Sequence, residues 1–187
     1  GFPIVLKPPA GAGCKGTYQV TDEATLRVAL TESRPSVDRV TLGEEFVTGV
    51  EHSYDTITIR GEQVFTNISR YAPGPLDVTR NDWIQWCVLL PRDVSGPEFD
   101  AVRKVGPAAI QALGLDTGFT HMEWFRRSDG SPVISEIGAR PPGAQFMSVM
   151  SWAFDRSLYH AWAEAMIDDR VTDLVEPLRE HRLGDRE

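Results

Sequence analysis

The sequence contains little that would build a disulfide framework or cross a membrane. Its 187 residues include only two cysteines, Cys14 and Cys87, which are too few for a disulfide-rich scaffold or a cysteine-ligated metal centre. Reduced thiols in a cytoplasmic protein are the simplest interpretation, because disulfides are rare in that compartment. No apolar run approaches the roughly 18 residues that a bilayer-spanning helix needs. The sequence therefore predicts a soluble, cytoplasmic protein without a membrane partner.

An excess of basic residues is also lacking. The formal net charge is −8, which argues against non-specific binding to nucleic acid, because the phosphate backbone attracts lysine and arginine. A small phosphate-bearing ligand is not excluded, since it needs only a local basic site. With 41% hydrophobic and 25% charged residues the composition is that of an ordinary globular protein, so we expect an ordered core.

The two ends of the sequence are unusual for a complete protein. Gly1-Phe2-Pro3 leads directly into an apolar strand with no initiator methionine, and residues 178–187 form a charged stretch with little to bury. We therefore expect the chain to be a piece of a larger polypeptide.

Apolar alternation and turn residues predict a mixture of strands and helices. Strands are predicted over residues 2–7, 16–20, 39–46, 51–59 and 64–69, and helices over residues 24–31, 97–113 and 146–167. Residues 71–81 are predicted to form a loop, because Pro73-Gly74-Pro75 interrupts the pattern. Gly106-Pro107 predicts a kink or a split in the second helix, since proline removes a helical hydrogen bond. The third helix carries Trp152, Tyr159 and Trp162, which we expect in the core.

The most informative segment is a predicted β-hairpin near the middle of the chain. Turn residues Ser128-Asp129-Gly130-Ser131 separate two apolar flanks at 122–125 and 132–137. With the central Asp-Gly dipeptide as the turn, the two serines face each other and Glu123 lies opposite Glu136. Side chains paired in this way have Cβ atoms roughly 4.5–5.5 Å apart. Two carboxylates that close repel each other unless a cation lies between them, and one or two carboxylates with substrate phosphates commonly bind Mg²⁺.

The same hairpin carries a histidine and is followed by an arginine. His121 lies two residues before Glu123, so both side chains point to one face of the strand. Arg140 is presented by the proline- and glycine-rich turn at 138–143. An imidazole and a guanidinium beside a metal-bound phosphate would stabilise developing negative charge. The alternative is a solvated hairpin, in which the glutamates face water, the histidine is hydrogen-bonded at the surface and the arginine pairs with a carboxylate.

A glycine-rich segment follows the first strand. Gly11, Gly13 and Gly16 would let the backbone approach a phosphate closely, and Lys7 and Lys15 lie near its ends. The segment is not a P-loop, because the required spacing is absent and it joins two strands instead of opening a helix. Lys7 closes an apolar strand, where a lysine either reaches water or meets an anion. The alternative is an ordinary flexible turn.

Residues 43–51, GEEFVTGVE, place acidic residues on both sides of an apolar group. This order suits a purine nucleoside: a carboxylate or carbonyl accepts from the base amino group, apolar side chains cover the ring, and a later carboxylate binds the ribose hydroxyls. The alternative is an exposed strand edge whose charges discourage aggregation, and the residues alone favour that alternative.

These segments follow one another in an informative order. A strand ending in Lys7, a glycine-rich loop, a helix, the GEEFVTGVE segment and a hairpin running into EIGARPPG succeed each other over residues 2–145. The series resembles the ATP-grasp superfamily. GFTHMEW followed by EIGARPPG is most similar to the carboxylate–amine ligase branch, which includes L-amino-acid ligases and relatives of phosphoribosylglycinamide synthetase.

The resemblance implies an α+β ATP-grasp fold in two α+β lobes, with the nucleotide between them and an antiparallel sheet in the larger lobe. Residues 1–48 would form the small lobe, 49–175 the large lobe and 176–187 a charged tail. The implied metal ligands are Glu123 and Glu136, and the candidate catalytic residues are Arg140 and His121. The implied nucleotide contacts are Lys7, Gly11, Gly13, Lys15, Gly16, Glu44, Glu45, Phe46, Val47 and Glu51.

The implied cofactors are ATP and Mg²⁺, with Mn²⁺ as a substitute. The implied activity is that of an ATP-dependent ligase, which joins a small-molecule carboxylate to an amine or a thiol through an acyl-phosphate. ATP-grasp ligases are often dimers, so a homodimer is one expected assembly. The resemblance also implies an N-terminal domain before Gly1. A nucleotide-binding domain without ligase activity and a carboxylase or purine-pathway relative remain alternatives. Gly138 stands where the family usually has asparagine, which predicts weaker metal binding unless water or another side chain substitutes.

Overall fold

The computed structural model describes residues 1–11 and 13–172 of the chain. These residues divide into two compact units, of which the first contains Gly1–Thr48 and Pro73–Cys87. The second contains Gly49–Ala72 and the described residues from Val88 onward. Pro73–Cys87 thus belongs with the N-terminal unit, although the sequence places it within the large lobe. The charged tail predicted over residues 176–187 lies outside the described residues.

The first unit is a small antiparallel sheet with two helices. The strands pair in the order β2-β1-β3. The elements are β1 (Ile4–Lys7), β2 (Tyr18–Val20), α1 (Glu23–Ser33), β3 (Leu42–Glu45) and α2 (Pro75–Arg80). The third strand is shorter than predicted, because Ser36 and Arg39 form a tight turn through two backbone hydrogen bonds instead of extending the strand.

Helix α1 begins at a well-formed N-terminal cap. The Asp22 carboxylate accepts from the backbone N–H of Thr25 at 2.7 Å, and the Thr25 hydroxyl accepts in return from the backbone N–H of Asp22 at 3.1 Å. The helix then contributes Ala29 to a small core with Leu6 and Val20. Because successive strand residues alternate between faces, Lys7 lies on the face opposite to Leu6 and to this helix.

The predicted loop over residues 71–81 is wrong. Strand β5 continues through Ala72, and Pro75 opens the helix α2, where its fixed φ suits the first helical turn. Tyr71 is buried in the second unit's core. Arg80, at the end of α2, donates to the Gln19 side chain at 2.6 Å. The Pro-Gly-Pro sequence therefore separates a strand from a helix and does not mark a long irregular segment.

The second unit is built on a five-stranded sheet in the order β6-β5-β4-β7-β8. The pairs β4–β5, β4–β7 and β7–β8 are antiparallel, as predicted for the larger lobe. The strands are β4 (Val50–Ile59), β5 (Glu62–Ala72), β6 (Cys87–Leu89), β7 (Gly118–Arg126) and β8 (Pro132–Gly138), and the helices are α3 (Asp100–Ala112), α4 (Phe146–Ala153) and α5 (Leu158–Asp168).

Each face of this sheet carries its own apolar cluster. On one face, strand residues including Tyr54 and Trp124 pack with Val102 and Ile110 of α3. On the other face, Phe119 and its neighbours pack with the buried side of α4 and α5. The helices therefore cover both faces of the sheet. The buried polar residues Asp55 and His121 lie on the second face, next to its apolar cluster.

The predicted split of the second helix at Gly106-Pro107 is also wrong. A short 3₁₀ turn, Pro97–Phe99, leads into α3, which runs without interruption through both residues. Gly106 is needed for packing, since a Cβ placed there would lie 2.8 Å from the ring of Tyr54. Glycine and proline are poor helix formers, and the packing of α3 against the sheet offsets their cost at Gly106 and Pro107.

The long helix predicted over residues 146–167 is instead two helices, with Asp155 in a left-handed conformation between them. Of its three aromatic residues, Trp162 packs against the core as expected. Trp152 and Tyr159 do not, because they remain 81% and 51% exposed. None of the helices in the described part of the chain has the length and apolar character that crossing a bilayer requires.

Gly49 lies where two backbone segments of the second unit meet, because a Cβ there would come 2.6 Å from the carbonyl oxygen of Arg126. We expect Gly49→Ala to lower the free energy of unfolding by about 1–3 kcal/mol, the usual cost of overpacking. Urea denaturation of the chain measures this change. Gly143→Ala is the matched control, since its Cβ meets nothing within 4 Å. Equal stability of the two variants would contradict the prediction.

Candidate functional site

The β7–β8 hairpin brings the two predicted metal ligands together. Glu123 and Glu136 are direct cross-strand partners, which confirms the predicted pairing. The turn itself differs from the prediction, because Arg126 pairs with Pro132 and the residues between them form the loop. Within that loop, the backbone N–H of Arg127 donates to the carbonyl of Ser131 at 3.0 Å.

A β-bulge reconciles this wider loop with the predicted glutamate pair. Trp124 pairs with Ile134 whereas Glu123 pairs with Glu136, so Ser135 is an extra residue in β8. Without the bulge, Ser135 would lie opposite Glu123. The bulge also explains why Ile134 and Ile137, three residues apart, both pack against the cluster of Trp124. Glu136 consequently points to the other face, the same face as Glu123.

Behind the glutamates lies a buried carboxylate that the sequence analysis did not identify. Asp55 in β4 is 0% exposed, and its Oδ1 lies 2.6 Å from Nδ1 of His121. Its Oδ2 accepts from the Ser53 hydroxyl at 2.7 Å and from the Asn67 amide at 3.1 Å. The other ring nitrogen of His121, Nε2, lies 3.5 Å from Oε1 of Glu123. A continuous polar chain therefore leads from the interior to the hairpin.

The two neighbouring carboxylates favour the positively charged form of His121. Burial opposes that charge, but the hydrogen bonds and negative charges of Asp55 and Glu123 outweigh it and raise the pKa of His121 to about 9. Both ring nitrogens then act as donors, one towards each carboxylate. Tyr71 lies near the same groups, and burial followed by the charges of Glu123 and Asp55 raises the pKa of its phenol.

The two paired glutamates suit a divalent cation that is shared with a phosphate-bearing ligand. Mg²⁺ prefers oxygen ligands and usually keeps positions for water and substrate phosphates, so two carboxylates are a fitting protein contribution. Within residues 1–11 and 13–172, no group of three or more His, Cys, Asp or Glu side chains is arranged to bind a metal. Gly138 faces His121 across the strands and offers no side-chain donor. The remaining ligands would therefore come from the bound molecule.

Arg140 follows the hairpin directly. It is exposed, and its Nη1 donates to the carbonyl of Pro141 at 3.0 Å. Its Cγ and Nε lie 3.4 Å from where a Cβ on Gly138 would stand, so the arginine side chain turns back over the end of β8. This places a guanidinium four residues after Glu136, next to Gly138 at the end of β8.

The predicted ribose contact, Glu51, lies on the same strand and face as Asp55, because four residues separate them. Of the residues in this polar chain that the sequence did not predict, Asp55 and Ser53 had a weak signal. They are polar residues at alternate positions of a strand whose next residue on that face is Ile57, a core residue. Nothing in the sequence indicated that Asn67 would complete this group.

In the first unit, two of the predicted nucleotide residues contact each other. Lys7 Nζ forms an ion pair with Oε2 of Glu44 at 2.8 Å, on the sheet face opposite to α1. Of the two environments expected for Lys7, water or an anion, the structure shows the anion, and it is the carboxylate of Glu44 in the same unit. The other predicted base contacts lie at the end of this strand. Glu45 is the last residue of β3, and Phe46 and Val47 follow it directly.

The glycine-rich loop adopts the backbone conformations expected of glycine. Gly13 and Gly16 have φ values of 63° and 74°, and Cys14 between them is also left-handed with φ 54°. Lys15 and Gly16 line a cleft of about 280 Å³ in this unit, together with residues that include Ser33 and Arg39. Lys7 does not line this cleft, and Gly11 lies next to Ala12, which is outside the described residues.

No family model matches the chain. The chain is similar to the L-arginine-specific L-amino acid ligase of Bacillus subtilis, with 24% identity over 167 residues, which cover 86% of this chain and 39% of the relative. It spans about a third to two fifths of the length of the curated relatives that it matches first. The described fold therefore corresponds to one part of such proteins.

Solved structures share this fold. An L-amino acid ligase from Bacillus licheniformis superposes with a TM-score of 0.70 at 22% identity, covering 88% of this chain and 39% of that chain. A D-alanine–D-alanine ligase from Bacillus anthracis complexed with ATP gives a TM-score of 0.57 at 21% identity, covering 89% and 47%. The chain is thus similar to ATP-grasp carboxylate–amine ligases, and its described residues have the predicted α+β ATP-grasp fold.

Proposed function

We propose that this chain is the ATP-binding domain of an ATP-dependent ligase, which joins a small-molecule carboxylate to an amine through an acyl-phosphate. The observation that carries the proposal is the direct pairing of Glu123 with Glu136. Relatives of this fold are named as amino acid ligases, and one neighbouring structure contains ATP. Because the chain spans part of these relatives, we propose nucleotide binding for the chain and ligation for the protein that contains it.

The hairpin residues have distinct roles in this proposal. Glu123 and Glu136 bind Mg²⁺, with Mn²⁺ as a substitute, and leave its other positions to nucleotide phosphates and water. When bound, the cation neutralises charge on the phosphoryl group that is transferred. Arg140 provides a positive charge for the substrate carboxylate and the acyl-phosphate. His121, whose Nε2 lies 3.5 Å from Oε1 of Glu123, stabilises developing negative charge at this site.

The nucleotide contacts are proposed from the resemblance together with their placement. Lys7 would contact the nucleotide phosphates, and its ion pair with Glu44 indicates that a phosphate would have to replace or join that carboxylate. The glycine-rich loop would cover the phosphates, because Gly13 and Gly16 have no side chain to obstruct the approach of the backbone. The other proposed contacts are Glu44, Glu45, Phe46 and Val47 for the base, Glu51 for the ribose, and Gly11, Gly13, Lys15 and Gly16 for the phosphates.

A nucleotide-binding domain without ligase activity is the second candidate, and Gly138 favours it. A glycine at this position contributes no donor beside Glu136, so a cation would be bound by fewer protein groups. Release of phosphate in the presence of amino acids separates the two candidates, because only a ligase couples ATP turnover to a carboxylate and an amine. The cytoplasmic location and the homodimer stay predictions.

Glu136→Gln should remove magnesium-dependent nucleotide binding. The substitution keeps the shape of the side chain but removes one of two charged ligands, so we expect the affinity for ATP in the presence of Mg²⁺ to fall about tenfold or more, equivalent to about 1.4 kcal/mol. Binding without Mg²⁺ should change little. Isothermal titration calorimetry of the chain with ATP, with and without Mg²⁺, measures both quantities.

Glu62→Gln is the matched control for this experiment. It makes the same chemical change at an exposed position of the same sheet, in β5. We expect the control to bind ATP as the unsubstituted chain does. Retention of full magnesium-dependent binding by Glu136→Gln would refute the proposed metal site.

Gly138→Asn should strengthen metal binding. A Cβ at this position makes only ordinary contacts, with Arg140 atoms at 3.4 Å, and the glycine is not in a left-handed conformation. The new amide oxygen would lie on the face of Glu136, two residues away, where it can act as a further ligand. We expect the Mg²⁺ concentration for half-maximal ATP binding to fall about tenfold, a gain of about 1.4 kcal/mol.

Gly138→Ala distinguishes a new ligand from a change in the backbone. It adds the same Cβ without an oxygen donor, so the magnesium requirement should stay within about twofold of the original, or about 0.4 kcal/mol. If both variants shift the requirement equally, position 138 does not contribute a ligand.

A further inference from the structure

We propose that Asp55 is a positioning residue for the metal site: through His121 it holds the carboxylate of Glu123 in place for the cation. This inference rests on the proposed function, since it assumes that Glu123 is a metal ligand. Asp55 itself would touch neither the cation nor the nucleotide.

The first support is that every observed contact of Asp55 is internal. The residue has no solvent exposure, and its two oxygens accept from Ser53, Asn67 and His121 at distances of 2.6–3.1 Å. A buried carboxylate is costly unless such donors compensate for the lost water. With three donors already bound, Asp55 has little capacity left for a ligand. Its remaining effect is on the groups that it holds.

The second support is the way in which His121 is confined. Its Nδ1 is fixed by Asp55 at 2.6 Å, and the ring of Phe146 packs against the imidazole edge to face, with centroids 5.8 Å apart. These two contacts set the plane of the ring. Nε2 then has one direction, towards Oε1 of Glu123 at 3.5 Å. A displacement of the Asp55 carboxylate would therefore be transmitted to Glu123.

The third support is electrostatic. Glu123 and Glu136 are paired across two strands, and like charges at that distance repel each other. The ring of His121 stands on one side of Glu123, with Nε2 3.5 Å from Oε1, and so restricts how far that carboxylate can turn away from Glu136 before a cation arrives. Groups that hydrogen-bond metal-binding carboxylates commonly affect metal affinity by about 10–100-fold.

A purely structural role for Asp55 is the competing explanation, and the neighbouring residue provides its control. Thr56 is also 0% exposed, and its hydroxyl lies 2.6 Å from the hydroxyl of Thr120. It points to the opposite face of β4, away from His121. Thr56→Val therefore removes a buried hydrogen bond from the same strand without disturbing the chain of groups that leads to Glu123.

The test compares Asp55→Asn with Thr56→Val in the complete chain. Fluorescence-monitored titrations determine the Mg²⁺ concentration for half-maximal ATP binding, and a separate titration measures ATP binding without Mg²⁺. We expect Asp55→Asn to raise the magnesium requirement about tenfold and to leave magnesium-free binding unchanged. Thr56→Val should stay within about twofold for both quantities. In ¹⁵N-labelled protein, the ring-nitrogen signals of His121 should move in Asp55→Asn alone.

His121→Gln tests the same connection from its other end. It should raise the magnesium requirement similarly, and combining it with Asp55→Asn should add little, because both changes break one chain of contacts. This variant also decides the question if Asp55→Asn does not fold: an unchanged magnesium requirement in His121→Gln overturns the proposal.

The outcomes separate this inference from the proposed function. If the unsubstituted chain binds ATP with magnesium dependence and Asp55→Asn behaves like Thr56→Val, the positioning role is refuted while the metal site stands. If the unsubstituted chain shows no magnesium dependence, the proposed function fails and the positioning role fails with it. A tenfold shift that is specific to Asp55→Asn supports both.

Discussion

The pairing of β4 with two neighbouring strands is the constraint on which the second unit depends. Strand β4 forms antiparallel ladders with β5 on one side and β7 on the other. Its residues alternate, so Tyr54 enters the apolar cluster under α3 whereas Asp55 faces the opposite side. A shift of one residue would exchange the two faces and place a carboxylate in that cluster. The apolar packing around Trp124 therefore also sets which polar residues meet His121.

The buried Asp55–His121 pair is better explained by function than by stability. Moving an ion pair out of water costs several kcal/mol per ion, and well-packed apolar residues often replace such pairs without loss. Here the pair is completed by Ser53 and Asn67 on the inner side and reaches Glu123 on the outer side. A stabilising pair would not need to end at a partly exposed carboxylate. The cost is consistent with a site in which the position of one carboxylate matters.

Two local features of β8, the bulge at Ser135 and the glycine at position 138, shape the site around the glutamate pair. The extra residue, Ser135, turns Glu136 to the face of Glu123 while Ile134 and Ile137 both stay with the apolar cluster. Gly138 then leaves space into which the side chain of Arg140 folds. An arginine at the end of β8 favours an anionic ligand, whereas a donor on residue 138 would favour the cation. The same short strand thus influences the balance between metal and substrate binding.

The sequence by itself determined most of the strands and the glutamate pair, because alternation and hairpin geometry are local. The predicted pair was correct although the turn was not, since the bulge compensated for the wider loop. Only the tertiary structure decided that α3 continues through Gly106, where the ring of Tyr54 packs so closely that the helix residue must lack a Cβ. It also brought Asp55 to His121, 66 residues away, because the ladder between distant strands and not the local pattern selects cross-strand partners.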